Sequence, residues 1–260
     1  MKIKFSVFKL TKILILKGSA IFLFILIIFM LLVSPGFFNH LKFFDFDSTT
    51  IPELSTELEG RTIGVDPGHG GYDPGFFVGE VKECDIVLEI SLKLQRLLEQ
   101  SGAKVVMTRD EDIDLWDYVP KNNEDAKKQE NDKKKTKAYE LENRVKILEG
   151  EGAELILSVH ANSIPSKIWS GAQTFYQQGD EDSRLLANYI QDNFIETLKN
   201  TERSALGGDY FMLRESTSTG TIIEVGFLSN PKERELLQDE IYQERVSWAI
   251  YLGLLEYLTE

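Results

Sequence analysis

Two of the three histidines in the chain occur where a functional site would be expected. His69 and His160 each come at the end of a predicted strand, whereas His40 belongs to the N-terminal part of the chain. In open α/β sheets, ligands bind at the carboxyl ends of the strands. A single histidine there is more often a hydrogen-bonded structural residue, but two histidines with an acid nearby make a metal site an equal alternative.

The residues around His69 extend this hypothesis. Glycines on both sides of His69 allow tight turns and a close approach to a ligand. Asp66 is placed to accept a hydrogen bond from an imidazole nitrogen and so to orient the ring. Glu83 is either an acid of the metal site or an acid favoured by the dipole of a helix that begins near Asp85. Cys84 is either a further metal ligand or, more simply, a small semi-buried apolar residue.

Glu224 interrupts an otherwise apolar strand over residues 221–227. Burial of an unpaired carboxylate is costly, so this side chain needs a partner or a raised pKa. A structural ion pair would meet the first requirement. A general base beside a metal would meet the second, because burial tunes a carboxylate toward neutral pH.

The elements that must position these side chains alternate between strand and helix. This alternation predicts one α/β domain over residues 60–260, with a mostly parallel sheet of about five or six strands and helices on both faces. Hydrophobic periodicity and turn signals place the strands at 61–66, 104–109, 154–160, 171–177 and 221–227, and the helices at 85–100, 139–150, 182–199 and 240–258. The charged stretch over 121–137 is predicted to be a solvated loop or an exposed helix extension.

The charge of the chain argues against binding to nucleic acid. The first 42 residues contain six lysines and no acid, so the other 218 residues carry 23 basic and 42 acidic side chains, a formal net charge of −19. A domain of this charge repels phosphate groups. The chain has one cysteine, so it cannot form an intrachain disulfide.

The N-terminal segment has the composition of a membrane anchor. Residues 18–34 form an uncharged apolar run, which is close to the minimum of about 17 residues for a helix that spans a bilayer. Lysines precede the run, so the N-terminus is expected inside the cell and the domain outside. A cleaved signal peptide is the alternative, but no small-residue cleavage site follows the run. We therefore predict an anchor over 1–36 and a tether over 37–59.

Five ordered motifs connect the chain with a known family. The segments VDPGHGG, KECDIVLEI, MTRDED, LSVHANS and IIEVGFLSN resemble, in this order and approximate spacing, the zinc-dependent N-acetylmuramoyl-L-alanine amidases. The resemblance covers about residues 60–260. The segment IPSKIWSGAQTFYQ and the N-terminal run are most similar to the germination-specific, spore-cortex members of that family.

The resemblance implies roles for individual residues. It implies that His69, Glu83 and His160 bind one Zn²⁺ and that Glu224 is the catalytic glutamate. Cys84 stands where the family usually has lysine, which does not remove a ligand. A second departure is Glu149, which stands where the family usually has asparagine. Arg109 and Asn162 either position substrate or anchor loops at the strand ends.

The implied reaction is hydrolysis of the amide bond between the lactyl group of N-acetylmuramic acid and L-alanine in peptidoglycan. In the spore cortex, a muramic acid deacetylase is the expected functional partner, because it would convert the stripped sugar to its δ-lactam. Two alternatives remain at this stage. One is another zinc-dependent cell-wall hydrolase, a peptidase or a deacetylase, which product analysis would reveal. The other is a non-catalytic wall-binding protein, which would have no turnover.

Overall fold

The computed structural model describes residues 56–116 and 136–260. The predicted membrane anchor over 1–36, most of the tether over 37–59 and most of the charged stretch over 121–137 lie outside these residues. Within the described ranges, no helix is both long enough and apolar enough to cross a membrane.

A six-stranded sheet forms the centre of the domain, in the order β4-β1-β5-β8-β6-β7. The first four strands in this order are parallel, β6 runs antiparallel to β8, and β7 is parallel to β6. A separate hairpin joins β2 and β3. The strands are β1 (Thr62–Pro67), β2 (Phe77–Val78), β3 (Val81–Lys82), β4 (Lys104–Met107), β5 (Leu155–Asn162), β6 (Gln173–Gln177), β7 (Leu206–Gly208) and β8 (Thr219–Phe227).

Six helices of the described residues cover both faces of the sheet, as predicted. They are α1 (Glu83–Gln100), α2 (Lys137–Gly150), α3 (Glu181–Asn193), α4 (Phe211–Glu215), α5 (Pro231–Leu237) and α6 (Glu240–Thr259). The predicted helix over 182–199 is interrupted, because a π-helical turn over Phe194–Leu198 follows α3. The short elements β2, β3, β7, α4 and α5 were not predicted, since segments of two to seven residues have too little periodicity to detect.

The alternation of side chains along the strands separates two cores. Leu155, Leu157 and Val159 of β5 pack in the larger core with α1, α3 and α6, whereas Ile156 packs in the smaller core with α2 and α4. In β8, Ile223 and Val225 also face the larger core. Because successive side chains point to opposite faces of a sheet, the even-numbered residues of both strands face the side of α2 and α4.

A buried ion pair holds α2 against the sheet. Oδ1 of Asp66, in β1, accepts hydrogen bonds from Nη1 of Arg144 and Oγ1 of Thr108, both at 2.7 Å, and Oδ2 accepts one from Oγ of Ser158 at 2.7 Å. Burial raises the pKa of Asp66, but the Arg144 guanidinium and the two hydroxyl groups outweigh burial and lower the pKa to about 2. Asp66 is therefore ionised. The stability that the pair contributes is complete above the ordinary aspartate pKa of 3.8 and is lost as the pH falls toward 2.

The same guanidinium also fixes the loop that follows β1. Nη1 of Arg144 donates to the carbonyl of Pro67 (2.8 Å), and Nη2 donates to the carbonyl of His69 (2.6 Å) and to Oε1 of Glu140 (2.8 Å). One fully buried side chain thus joins α2, β1 and the loop that carries His69.

We predict that Arg144→Met destabilises the protein strongly. Removal of one partner from a buried pair leaves an uncompensated charge and typically costs about 3–5 kcal/mol. The measurement is the free energy of unfolding in urea at pH 7. Arg184→Met is the matched control, because Arg184 pairs with Glu181 on the exposed surface and its loss should change little. Equal, small effects of the two substitutions would contradict this prediction.

Candidate active site

The sheet aligns His160 and Glu224 on neighbouring strands. β5 and β8 are parallel, and His160 lies opposite Glu224 in their register. The two side chains therefore project from the same face of the sheet. The loop after β1 is joined to this position, because the N–H of Gly68 donates to the carbonyl of Val159 at 2.9 Å.

The side chains of His69, Glu83 and His160 converge on one point. Nε2 of His69 lies 3.1 Å from Oε1 of Glu83, and Nδ1 of His160 lies 3.3 Å from the same oxygen. The two imidazole rings meet edge to face, with centroids 5.0 Å apart. The three potential ligand atoms all lie within 4.8 Å of one another, so a single cation could contact all of them. The structure thus brings together the three residues that the sequence predicted as metal ligands.

Glu83 is the first residue of α1 and is buried. Its Oε1 accepts a hydrogen bond from the N–H of Ala161 at 3.1 Å, and its Oε2 accepts one from the N–H of Phe76 at 2.9 Å. Although burial raises the pKa of this carboxyl, hydrogen bonds and charge from His160 and His69 lower it well below its usual range. An ionised carboxylate is thereby fixed between the two imidazoles.

A left-handed backbone conformation and a carboxylate orient His69. Its φ is 61°, which is uncommon for a residue other than glycine. Nδ1 of His69 lies 2.9 Å from Oδ2 of Asp73, and Oδ1 of Asp73 accepts a hydrogen bond from the N–H of Gly75 at 3.0 Å. Asp73 holds the proton on Nδ1, so Nε2 is the nitrogen that faces Glu83. Nε2 donates to the carboxylate while it is protonated, and its lone pair is free for a metal ion once that proton is lost, as in many metal-binding histidines.

The prediction that Asp66 orients an imidazole is therefore wrong. The alternation of β1 turns Asp66 toward Arg144 and Ser158, and both of its oxygens accept hydrogen bonds there. Asp73 has the orienting position instead. It was missed because only the turn after Gly70 and Gly71 brings it back toward His69, although its position in the same glycine-rich segment was a usable signal.

Gly75 illustrates why this loop is rich in glycine. Its φ is 66°, and a Cβ atom at this position would lie 2.6 Å from Oε2 of Glu83 and 2.9 Å from Cδ2 of His69. A side chain here would both strain the backbone and displace the two site residues.

Arg109 anchors loops. Its guanidinium is buried and donates to the carbonyls of Pro67 (3.0 Å), Gly68 (2.8 Å) and Cys84 (2.8 Å). Of the two roles predicted for Arg109, these contacts favour the structural one. Asn162 ends β5, where its carbonyl accepts a hydrogen bond from the N–H of Leu228 at 2.8 Å.

The surroundings of Cys84 favour the interpretation as a small buried residue. Burial raises the pKa of its thiol to about 12, and the charges of Asp85 and Asp112 contribute to this increase. Although Cys84, Asp85 and Asp112 lie close enough to share a cation, a protonated thiol is a poor metal ligand.

Glu224 is a carboxylate without a cationic side-chain partner among the described residues. Its Oε2 atom is shielded from solvent and has no hydrogen-bond partner there. Burial raises its pKa to about 7; His160 opposes this increase, and the charge of Glu83 adds to it. The absence of an ion pair in the described part of the chain disfavours a structural salt bridge, and a pKa near neutrality suits a proton acceptor.

Glu149, where the sequence departs from the family pattern, has a structural role. Its Oε1 accepts hydrogen bonds from the N–H and hydroxyl of Thr217 at 2.7 and 3.0 Å. These contacts join the end of α2 to the segment that leads into β8.

Comparison with known proteins identifies the family to which the chain belongs. The family model described as N-acetylmuramoyl-L-alanine amidase matches residues 63–256. The chain is 42% identical over 208 residues to the germination-specific N-acetylmuramoyl-L-alanine amidase of Bacillus subtilis, and the alignment covers 79% of this chain and 83% of the relative.

Solved structures agree with this assignment. The CwlD amidase from Clostridioides difficile, in complex with the GerS lipoprotein, superposes with a TM-score of 0.66 at 38% identity and covers 76% of this chain and 98% of its own. The catalytic domain of CwlV, an amidase from Bacillus (Paenibacillus) polymyxa, gives a TM-score of 0.63 at 32% identity, with 76% and 98% coverage. These matches favour an amidase over the alternative cell-wall peptidase or deacetylase and over a non-catalytic protein. The chain belongs to the N-acetylmuramoyl-L-alanine amidase family and is a peptidoglycan hydrolase.

Proposed function

We propose that this amidase uses one Zn²⁺ bound by His69, Glu83 and His160, with Glu224 as the general base. The observation that carries the proposal is the convergence of three ligand atoms within 4.8 Å beside a carboxylate that has no cationic partner in the described residues. The bond cleaved is the amide between the lactyl group of N-acetylmuramic acid and L-alanine.

The donor set fits zinc in both type and number. Two imidazole nitrogens and one carboxylate oxygen are typical zinc ligands, and three protein ligands leave a position open for water or substrate. Asp73 holds the first imidazole through its other nitrogen, and Glu83 is ionised. When bound, zinc would lower the pKa of water to about 7 and polarise the scissile carbonyl.

The protein groups then perform the proton transfers. Glu224 accepts a proton from the attacking water, because its Oε2 has no other partner among the described residues and its pKa is raised to about 7. The same carboxyl delivers the proton to the nitrogen of L-alanine, which departs as an amine. Hydrolysis by this route requires no nucleophilic serine or cysteine.

We further propose that the substrate is spore-cortex peptidoglycan. The support is the 42% identity to a germination-specific amidase. A muramic acid deacetylase remains the proposed functional partner, since it would act on the sugar that this reaction exposes. The partner of the related CwlD amidase is a lipoprotein, GerS, rather than a deacetylase. Physical association with a deacetylase therefore does not form part of the proposal.

The proposed location is outside the cell membrane, with the N-terminal run as anchor. We predict that protease added to intact protoplasts digests the domain, because the lysines before residue 18 are expected to keep the N-terminus inside. Immunoblotting against the domain measures this. A variant that lacks residues 1–36 should remain protected inside the protoplasts, and full-length protein found only in the cytosolic fraction would refute the anchor.

We predict that Glu83→Gln weakens zinc binding while Cys84→Ser does not. An amide cannot replace the ionised carboxylate, and loss of even an orienting partner typically lowers metal affinity about 10- to 100-fold. Competition titration with a chromogenic chelator measures the zinc affinity of each variant. The serine variant is a control for disturbance at the start of α1. Unchanged affinity in Glu83→Gln, or no zinc in the wild type under replete conditions, would count against the site.

We predict that Glu224→Gln lowers the rate of peptide release by a factor of about 10²–10⁴, the usual contribution of general base catalysis. The substitution keeps the shape of the side chain but removes the proton acceptor. Mass spectrometry of soluble products from peptidoglycan measures the release of peptides with a free L-alanine amine. Zinc content and melting temperature should stay at wild-type values. A variant that releases peptides at the wild-type rate would exclude the role of Glu224.

A further inference from the structure

We propose that Arg203 is a substrate-binding residue that recognises a free carboxylate on the residue after L-alanine in the peptide. This inference rests on the proposed function, because it takes the position of the scissile amide from the cluster of His69, Glu83, His160 and Glu224. It adds a determinant of specificity on the peptide side of that bond.

The guanidinium of Arg203 is held rigidly in one orientation. Its central carbon lies 5.1 Å from the ring centroid of Trp169 and 5.1 Å from that of Phe227. Nε donates to the carbonyl of Ser170 at 3.2 Å, and Nη1 donates to Oε1 of Gln173 at 3.2 Å. A guanidinium group fixed in this way loses little conformational freedom when it binds a ligand.

Arg203 has a cationic group without an acidic partner in the described ranges. Arg61, Arg184 and Arg214 each form an ion pair with a carboxylate, whereas Arg203 forms none with any described residue. The charge of Arg203 opposes the rise that burial causes in the pKa of Glu233, but both oxygens of Glu233 accept hydrogen bonds from backbone N–H groups. Nη2 of Arg203 donates to no described residue and is available to an external carboxylate.

The sheet register places Gln173, a hydrogen-bond partner of Arg203, in line with the candidate active site. His160 of β5 lies opposite Glu224 of β8, and Glu224 lies opposite Gln173 of β6. Residues opposite each other in a sheet share a face, and neighbouring strands are about 4.8 Å apart. Gln173 is thus about 10 Å from His160 along this row. Nη1 of Arg203 donates to the amide oxygen of Gln173, so the guanidinium lies next to this end of the row.

The substrate can span the distance from Glu224, which would protonate the scissile nitrogen, to Gln173, because the two residues are one strand spacing of about 4.8 Å apart. A peptide spans about 3.3–3.6 Å per residue when extended, so the α-carboxyl group of the residue after L-alanine lies at most about 7 Å from the scissile nitrogen. In peptidoglycan that residue is a D-glutamate joined through its side chain, which leaves its α-carboxyl group free unless it is amidated. A carboxylate there would meet the guanidinium of Arg203 in a charge-assisted hydrogen bond.

The test compares two muramoyl-peptide substrates that differ only in this group, one with a free α-carboxylate and one with a carboxamide. The full-length wild type, loaded with zinc, should cleave the carboxylate substrate with a kcat/KM about 10- to 100-fold higher. Arg203→Met should remove this preference by raising KM for the carboxylate substrate, with little change for the carboxamide. Arg203→Lys, which keeps the charge but not the fork, should retain part of the preference.

Arg214→Met is the matched control, because Arg214 also lies over an aromatic ring but pairs with Asp209 and Glu215. It should keep the wild-type preference. No preference in the wild type, or an equal loss of kcat/KM by Arg203→Met on both substrates at unchanged zinc content, would overturn the role of Arg203. A wild type that cleaves neither substrate would instead reject the proposed function, and this inference with it.

Discussion

The buried ion pair between Asp66 and Arg144 is the interaction on which the rest of the site depends. Asp66 lies at the end of β1, and the guanidinium that neutralises it also donates to the carbonyls of Pro67 and His69. The uncommon backbone conformation of His69 is thus imposed by a charge that cannot move without leaving a carboxylate buried and unpaired. Arg109 donates hydrogen bonds to the carbonyls of Gly68 and Cys84 and so connects this loop with the start of α1.

Two carboxylates on this rigid frame have opposite properties. Glu83 accepts hydrogen bonds from two backbone N–H groups and contacts two imidazoles, and the hydrogen bonds and charge of the imidazoles lower its pKa below the usual range. Glu224 is buried without such donors in the described residues, and its pKa rises to about 7. Their environments therefore make Glu83 suitable for binding a cation and Glu224 suitable for accepting a proton. The negative charge of Glu83 contributes to the difference, because it disfavours ionisation of its neighbour.

Much of this arrangement could be predicted from the sequence. The strand–helix alternation predicted the mostly parallel sheet, because burial of strands between helices produces apolar runs that are easy to recognise. Parallel strands end at a common edge, so histidines after two of them were expected to meet. The resemblance of the ordered motifs to the amidase family then implied a metal-binding role for Glu83 and a catalytic role for Glu224. Polarity alone had left both residues open between structural and chemical roles, and the two implied roles stay predictions.

Other features were decided only by tertiary structure. Asp66 and Asp73 both lie near His69 in sequence. The orientation of β1 directs the side chain of Asp66 toward Arg144, and the path of the glycine-rich turn brings Asp73 to the imidazole of His69. Arg203 had no sequence signal, because its partners Trp169 and Phe227 are brought together by packing between distant segments. Residue types and strand periodicity are local properties and can be read along the chain. Which donor meets which acceptor depends on contacts between segments far apart in sequence, and these exist only in the folded domain.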